Sequence, residues 1–198
     1  MPKTRASTWV WDTISNALSR YENRQGGVLK YGLLLLLSLV SVSVAASGGI
    51  YQKPADFINE VFAGDAPKVS ILWLTGDLRD DIEGVLGHKP ATLRTRYWKR
   101  HLRSAWILEE TGKTKPITVG VVINRGHIEK IKVLVFRESR GWEVRHAFFT
   151  DQFVNATLTS EGKLDRNIDG ITGATLSVRA LRKIAQLALY LDRQSGKP

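Results

Sequence analysis

Cysteine is absent from this 198-residue chain. That single absence removes disulfide frameworks, thiolate nucleophiles, thiolate-bound zinc and iron–sulfur clusters together, so any redox chemistry has to come from a bound organic cofactor or another metal. Histidine is scarce as well. His88, His101, His127 and His146 show none of the i, i+4 spacing that lets one helix face grip a metal, so they read as surface or strand residues and no metal site is expected. No G-x-S-x-G elbow, phosphate-binding P-loop or glycine-rich dinucleotide fingerprint occurs, which leaves hydrolase and nucleotide-dependent dehydrogenase chemistry without support. The acidic pairs Asp80-Asp81 and Glu109-Glu110 are consecutive; on a regular element their side chains diverge, and they suit solvated faces better than a two-carboxylate site. No catalytic side chain is therefore expected.

Acidic residues are outnumbered, with 29 Lys and Arg against 19 Asp and Glu and a formal charge of +10. Such a surplus suits nucleic acid, a membrane surface or an acidic partner. The bases are spread through strand-like and helix-like segments, and no helix-turn-helix, zinc-finger or RNA-binding signature accompanies them, so nucleic acid is not expected. The densest cluster, Arg94 to Arg103, interleaves bases with Tyr97 and Trp98 and reads as an edge strand with one basic, solvated face.

There is one long apolar run. Tyr31 to Ser47 carries no charge and lies at the short end of the roughly 17–25 residues that span a bilayer. Lys3, Arg5, Arg20, Arg24 and Lys30 outnumber Asp12 and Glu22 before it, so the positive flank stays inside and the remainder is exported. As a signal anchor the run stays in the inner membrane, with the soluble domain in the periplasm. As a secretory signal it is cleaved near Ala46. The long leading segment, with Trp9, Trp11, Ile14, Leu18 and Tyr21 at amphipathic spacing, favours the anchor. The chain thus divides into a cytoplasmic segment (1–30), the anchor or signal core (31–47), a helical and strand lead-in (48–93) and a main domain (94–198).

Within the exported part, Pro54 to Phe62 has the spacing of a short helix, and Val69 to Leu74 resembles a buried strand. Leu78, Ile82, Val85 and Leu86 mark a further helix ending at Gly87. Pro116–Ile123 and His127–Phe136, separated by Asn124-Arg125-Gly126, form a hairpin; in its second strand Ile131, Val133 and Val135 share one face, opposite Lys130, Lys132 and Leu134. The segment from Gly141-Trp142 through Phe153 is irregular or helical against the sheet. A last amphipathic helix starts near Thr175 or Leu176 and runs to about Arg193. The fold class is α+β: a twisted, mainly antiparallel sheet with packed helices behind one N-terminal transmembrane or signal-anchor helix.

Asp169-Gly170-Ile171-Thr172-Gly173-Ala174-Thr175 sits where a strand end is expected to meet that last helix. Helix N-termini carry unpaired N–H groups and partial positive charge, so a loop of small residues feeding one brings backbone close to a phosphate. Threonine is also a common helix cap, and that alternative reading of Thr175 stands on local grounds alone.

This heptapeptide resembles the flavinylation motif of the FMN-binding domains found in flavin-carrying subunits of sodium-pumping NADH:quinone oxidoreductases and Rnf-type complexes. Gly126-His127-Ile128 and Glu138-Ser139-Arg140-Gly141 resemble the family's strand pair and its Glu-Thr-Pro-Gly type turn, so the resemblance covers roughly residues 94–190. It implies FMN joined by a phosphoester to the Thr175 hydroxyl, installed by a separate flavin transferase that uses FAD. It further implies that Asp169, Thr172, Gly173 and Ala174 shape the attachment loop and that Glu138 and Ser139 line the isoalloxazine. Gly173 and Ala174 keep bulk away from Thr175, which is a modification site and not a nucleophile of turnover. Ser139-Arg140 stands in place of the Thr-Pro of the complex subunits, pointing to a stand-alone or alternative-partner member. The implied role is that of an electron carrier facing the periplasm, with a cytochrome or quinone-linked membrane subunit as redox partner. A non-redox anion-binding module and a membrane-anchored adaptor are the alternatives.

Overall fold

The computed structural model describes residues 49–196. The expected anchor at 31–47 lies outside the described residues, and among the described residues no helix is long and apolar enough to cross a membrane. The first helix, α1 (Pro54–Val61), opens with proline at a position where a missing N–H costs nothing. It is followed by β1 (Ser70–Trp73), α2 (Asp77–Leu86), β2 (Arg94–Arg100), β3 (Arg103–Thr111), β4 (Pro116–Asn124) and β5 (His127–Phe136). A 3-10 turn (Trp142–Arg145), the single-turn α3 (Ala147–Thr150) and a second 3-10 turn (Asp151–Phe153) lead into a long loop and then α4 (Thr175–Ser195). All five strands are antiparallel and ordered β1-β2-β3-β4-β5, so every strand pairs with its sequence neighbour. The described residues are α+β, a five-stranded antiparallel sheet with four helices.

Alternation along β4 shows why the sheet is covered on both faces. Ile117, Val119, Val121 and Ile123 point into the larger core, where α4 supplies Val178, Leu181, Ile184, Ala185 and Ala188 and α2 supplies Ile82 and Leu86. Val122 points the other way, joining Ala105, Leu134 and Val135 beneath Phe57, Ile58 and Val61 of α1. Leu74, Ile82 and Leu86 lie in the same core as β3–β5, so the lead-in builds part of that core. The Phe57 ring lies so close to β4 that a Cβ at Gly120 would sit 2.5–2.8 Å from three of its carbons. Trp106 is fully buried and stacks on Tyr97 at 4.7 Å, and its indole N–H donates to Ser104 Oγ at 2.8 Å. Ser104 in turn donates to Asp192 on α4 at 2.6 Å, so both buried donors of this relay, the Trp106 N–H and the Ser104 hydroxyl, are paired.

Several sequence expectations change. Among the described residues β1 is an edge strand and not a buried one, and Ile71 and Trp73 are exposed because α1 packs on β3–β5 and leaves that face of β1 uncovered. β2, expected at the edge, is the second strand; its exposed Arg94 and Arg96 stand opposite Trp73 and Ile71. In β5 the register slips twice against β4, once at Thr118/Val119 and once at Val122/Ile123. These bulges each insert one residue, so Val135 turns to the α1 face beside Leu134 while Ile128 joins Ile131 and Val133 on the α4 face. No strand precedes the Asp169–Thr175 segment: residues 154–174 form a loop containing only the isolated bridge Leu158–Leu164.

Candidate functional site

The loop ahead of α4 is held from both sides. At its start Asn155 N–H donates to the Ile128 carbonyl at 2.8 Å, Ile128 N–H donates to Ala156 O at 2.9 Å, and Arg166 donates to the carbonyls of Val154 and Asn155. At its end Ile168 is buried, and Arg182, reaching back from α4, donates to the Ile168 carbonyl and to Asn167 Oδ1. Asp169 is pinned through its backbone, its N–H donating to Gln152 Oε1 at 2.6 Å, while its exposed carboxylate accepts from Asn167 Nδ2 at 3.3 Å. The Asp169 side chain thus shapes the loop through Asn167.

Gly173 has φ +83° and open space where a Cβ would point. Its backbone conformation, in the left-handed region that side chains disfavour, requires glycine there more than its small size does. Ala174 is buried and occupies the N-cap position, with N–H donating to Ile171 O and carbonyl accepting from Val178 N–H. Thr175 is therefore the first residue inside the helix and not its cap; it is exposed, and no side-chain cap bond is made at this terminus. The N–H groups of Thr175, Leu176 and Ser177 have no hydrogen-bond partner among the described residues. An exposed secondary hydroxyl thus stands beside three free donors at the positive end of a helix about 31 Å long. Thr172 is exposed on the same loop.

The turn after β5 meets this helix end. Gly141 has φ +83°, and a Cβ there would lie 2.4 Å from Ser177 Oγ and 3.4 Å from the Ala174 Cβ. The 138–141 turn and the 169–175 loop, 28 residues apart between Gly141 and Asp169, are thereby brought into contact at Ala174 and Ser177. Ser139 and Arg140 are exposed on that turn. Glu138 is buried and engaged elsewhere: its carboxylate accepts from the N–H groups of Lys113, Thr114 and Lys115 at 2.5–2.8 Å, closing the β3–β4 turn. Burial by itself would push this carboxyl up, but the N–H groups of Lys115, Thr114 and Lys113 more than offset it and hold it below the usual carboxylate range.

Residues following Gly141 form an aromatic group that sequence reading did not single out. Trp142 meets His146 edge-on at 5.4 Å, His146 stacks over Phe148 at 6.1 Å, and Arg145 lies 4.8 Å above Trp142 and 4.4 Å above Tyr51. Phe148 is 63% exposed, and the 3-10 turn bearing Trp142 packs against α4. The available signal was the density of aromatics immediately after a glycine; what hid it is that residues 142–148 have no single period that would align them.

Residues 112–190 match the family model of the FMN-binding domain. Over this stretch the chain is similar to FMN-binding domains. The match runs from the turn clasped by Glu138 through β4, β5, the aromatic group and the 169–175 loop to Tyr190 near the end of α4. The matched stretch includes all the residues brought together above except Tyr51, and the match supports a flavin-binding role. Searches among curated proteins and among solved structures gave no match.

Proposed function

We propose that this FMN-binding domain carries its FMN covalently, as a phosphoester on the Thr175 hydroxyl, and serves as an electron carrier. The observation that supports the attachment point is the state of Thr175: exposed, not used as a cap, and next to three unpaired N–H groups inside a matched FMN-binding domain. A phosphodiester keeps one negative charge, which those donors and the helix dipole stabilise. A flavin transferase joins Thr175 Oγ1 to the FMN phosphorus of FAD, breaking the pyrophosphate bond and releasing AMP and the hydroxyl proton. When bound, the flavin supplies one- and two-electron redox chemistry. The chain's own part is to anchor the phosphate at α4, hold the loop through Arg182 and Gln152, and offer Trp142, His146 and Phe148 as a stacking surface.

Co-expression with a flavin transferase tests the linkage. The intact mass rises by FMN less one water, and fluorescence survives denaturation; Thr175→Val abolishes both. An unchanged addition in that variant places the bond on another residue, and no addition under any co-expression condition favours a non-redox anion-binding module or an adaptor. We further propose that residues 31–47 anchor the chain in the inner membrane with this domain in the periplasm, where a tethered cofactor is not lost and a cytochrome or quinone-linked subunit exchanges electrons with it. A reporter fused after Pro198 is active only when exported; activity of a cytoplasm-specific reporter refutes that orientation.

A further inference from the structure

The sheet is split between β2 and β3. These strands pair only from Tyr97↔Trp106 to Arg100↔Arg103, whereas the other half of β2, down to Arg94, pairs with β1, and β3 continues along β4 to Thr111↔Pro116. β2 thus changes partner at Tyr97. Among the described residues the half-strands Arg94–Arg96 and Ile107–Thr111 each keep one edge with no strand beside it, and a cleft of about 1000 Å3 lies between them. The connection after α2 is tied to β3 across this split, with His88 Nε2 3.0 Å from Glu110.

The cleft passes through the sheet. Its walls include Trp98, Ile107 and Leu108 from the strands, Leu86 from α2, and Leu187 and Leu191 from α4. Apolar walls on this scale offer water few partners, and the volume lies at the upper end of the range for cavities that enclose small organic ligands. Both wall carboxylates are neutralised: Glu109 lies 3.5 Å from Arg137 and accepts from Thr118, and Glu110 lies between His88 and Lys183. Three exposed cations on the lining, Lys53, Arg94 and Arg96, enter no ion pair among the described residues. The cleft combines an apolar interior with uncompensated positive charge.

We propose that the β2–β3 cleft binds a single-chain amphiphilic anion, an acyl chain bearing a carboxylate or phosphate head. The chain lies against Ile107, Leu108, Leu86, Leu187 and Leu191, and the head pairs with Arg94 and Arg96. A guanidinium pair suits either head through charge-assisted hydrogen bonds. The site is separate from the flavin attachment point, since Leu187 and Leu191 stand 12 and 16 residues beyond Thr175, about 18 and 24 Å along the helix axis. It does not depend on the flavin linkage proposed above.

The test is photo-cross-linking of the full-length protein in membranes with three diazirine probes of equal chain length: palmitate, a lysophosphatidate and the neutral alcohol. Adducts of the two anionic probes are expected at Leu86, Ile107, Leu108, Leu187 or Leu191, and at least fivefold fewer with the alcohol. Arg94→Glu/Arg96→Glu, at exposed positions that leave the core intact, reduces anionic labelling to the level of the alcohol. Competing unlabelled acids lose displacement potency by roughly tenfold for every two methylenes removed. Labelling by only one of the anionic probes identifies the head group and supports the site. Adducts confined to 31–47 or to the outer face at Ile71 and Trp73 overturn it, as does labelling that ignores both head charge and the arginine substitutions. Loss of labelling upon flavinylation also overturns it, because the cleft would then be the flavin's own seat.

Discussion

Replacing Gly141 with alanine adds one methyl group where two distant segments touch. The backbone there has φ +83°, and the new Cβ would lie 2.4 Å from Ser177 Oγ, 3.2 Å from Ser177 Cβ and 3.4 Å from Ala174 Cβ. Holding alanine in the left-handed region costs about 1–2 kcal/mol. Forcing a packed neighbour aside costs about 1–3 kcal/mol more. Ser177 is buried in the first turn of α4 and cannot swing into solvent, so the strain is carried to the helix start. The expected loss is roughly 2–5 kcal/mol, read as a lower denaturation midpoint of the purified full-length protein followed by tryptophan fluorescence. Removing the oxygen with Ser177→Ala relieves the shortest contact but leaves the φ penalty, so the double variant recovers part of the loss, with a coupling of about 1–2 kcal/mol. Flavin incorporation into Gly141→Ala also falls, because Thr175 lies two residues before Ser177. A loss under about 1 kcal/mol that simply adds to that of Ser177→Ala would refute the claim that these segments are in forced contact.

Two further substitutions probe the scaffold. Gly120→Ala places a Cβ within 2.8 Å of three carbons of the fully buried Phe57 ring, and the unfolding free energy should drop by roughly 3 kcal/mol or more, read as a lower denaturation midpoint; a near-neutral result would mean that α1 is free to lift. Glu138→Gln replaces a charged acceptor of three N–H bonds by an amide, with an expected loss of roughly 2–3 kcal/mol at neutral pH. The folded-state pKa of Glu138 is lowered, so its contribution is fully present above the ordinary value of 4.5 and is lost as pH falls through the lowered one. Denaturation midpoints from pH 7 to 3 should therefore fall more steeply for the native protein than for the variant, and parallel curves would contradict the assigned role.

What could be read from the sequence was what short-range periodicity encodes. The hairpin at 116–136 and the final helix were legible because alternation and the 3.6-residue spacing persist over whole elements. Val135 shows the limit of that reading: its parity is broken by a bulge that depends on where β4 hydrogen-bonds, a property of the pair and not of either strand. β1 misled for a related reason, since an apolar run does not say whether another element will pack on its face.

The candidate site divides the same way. By itself the sequence determined the hydroxyl, the small residues around it and the helix that follows, because a loop feeding an amphipathic helix is a local pattern and the unpaired N–H groups of a helix start need no distant contact. Only the tertiary structure decided that Thr175 lies inside the helix and leaves the capping position to Ala174, that Gly141 presses on Ser177, and that Glu138 serves the β3–β4 turn. It also decided that β2 leaves β3 after four pairs and opens a cleft. Each depends on groups far apart in the chain meeting at ångström range, and residue order carries no direct record of such meetings.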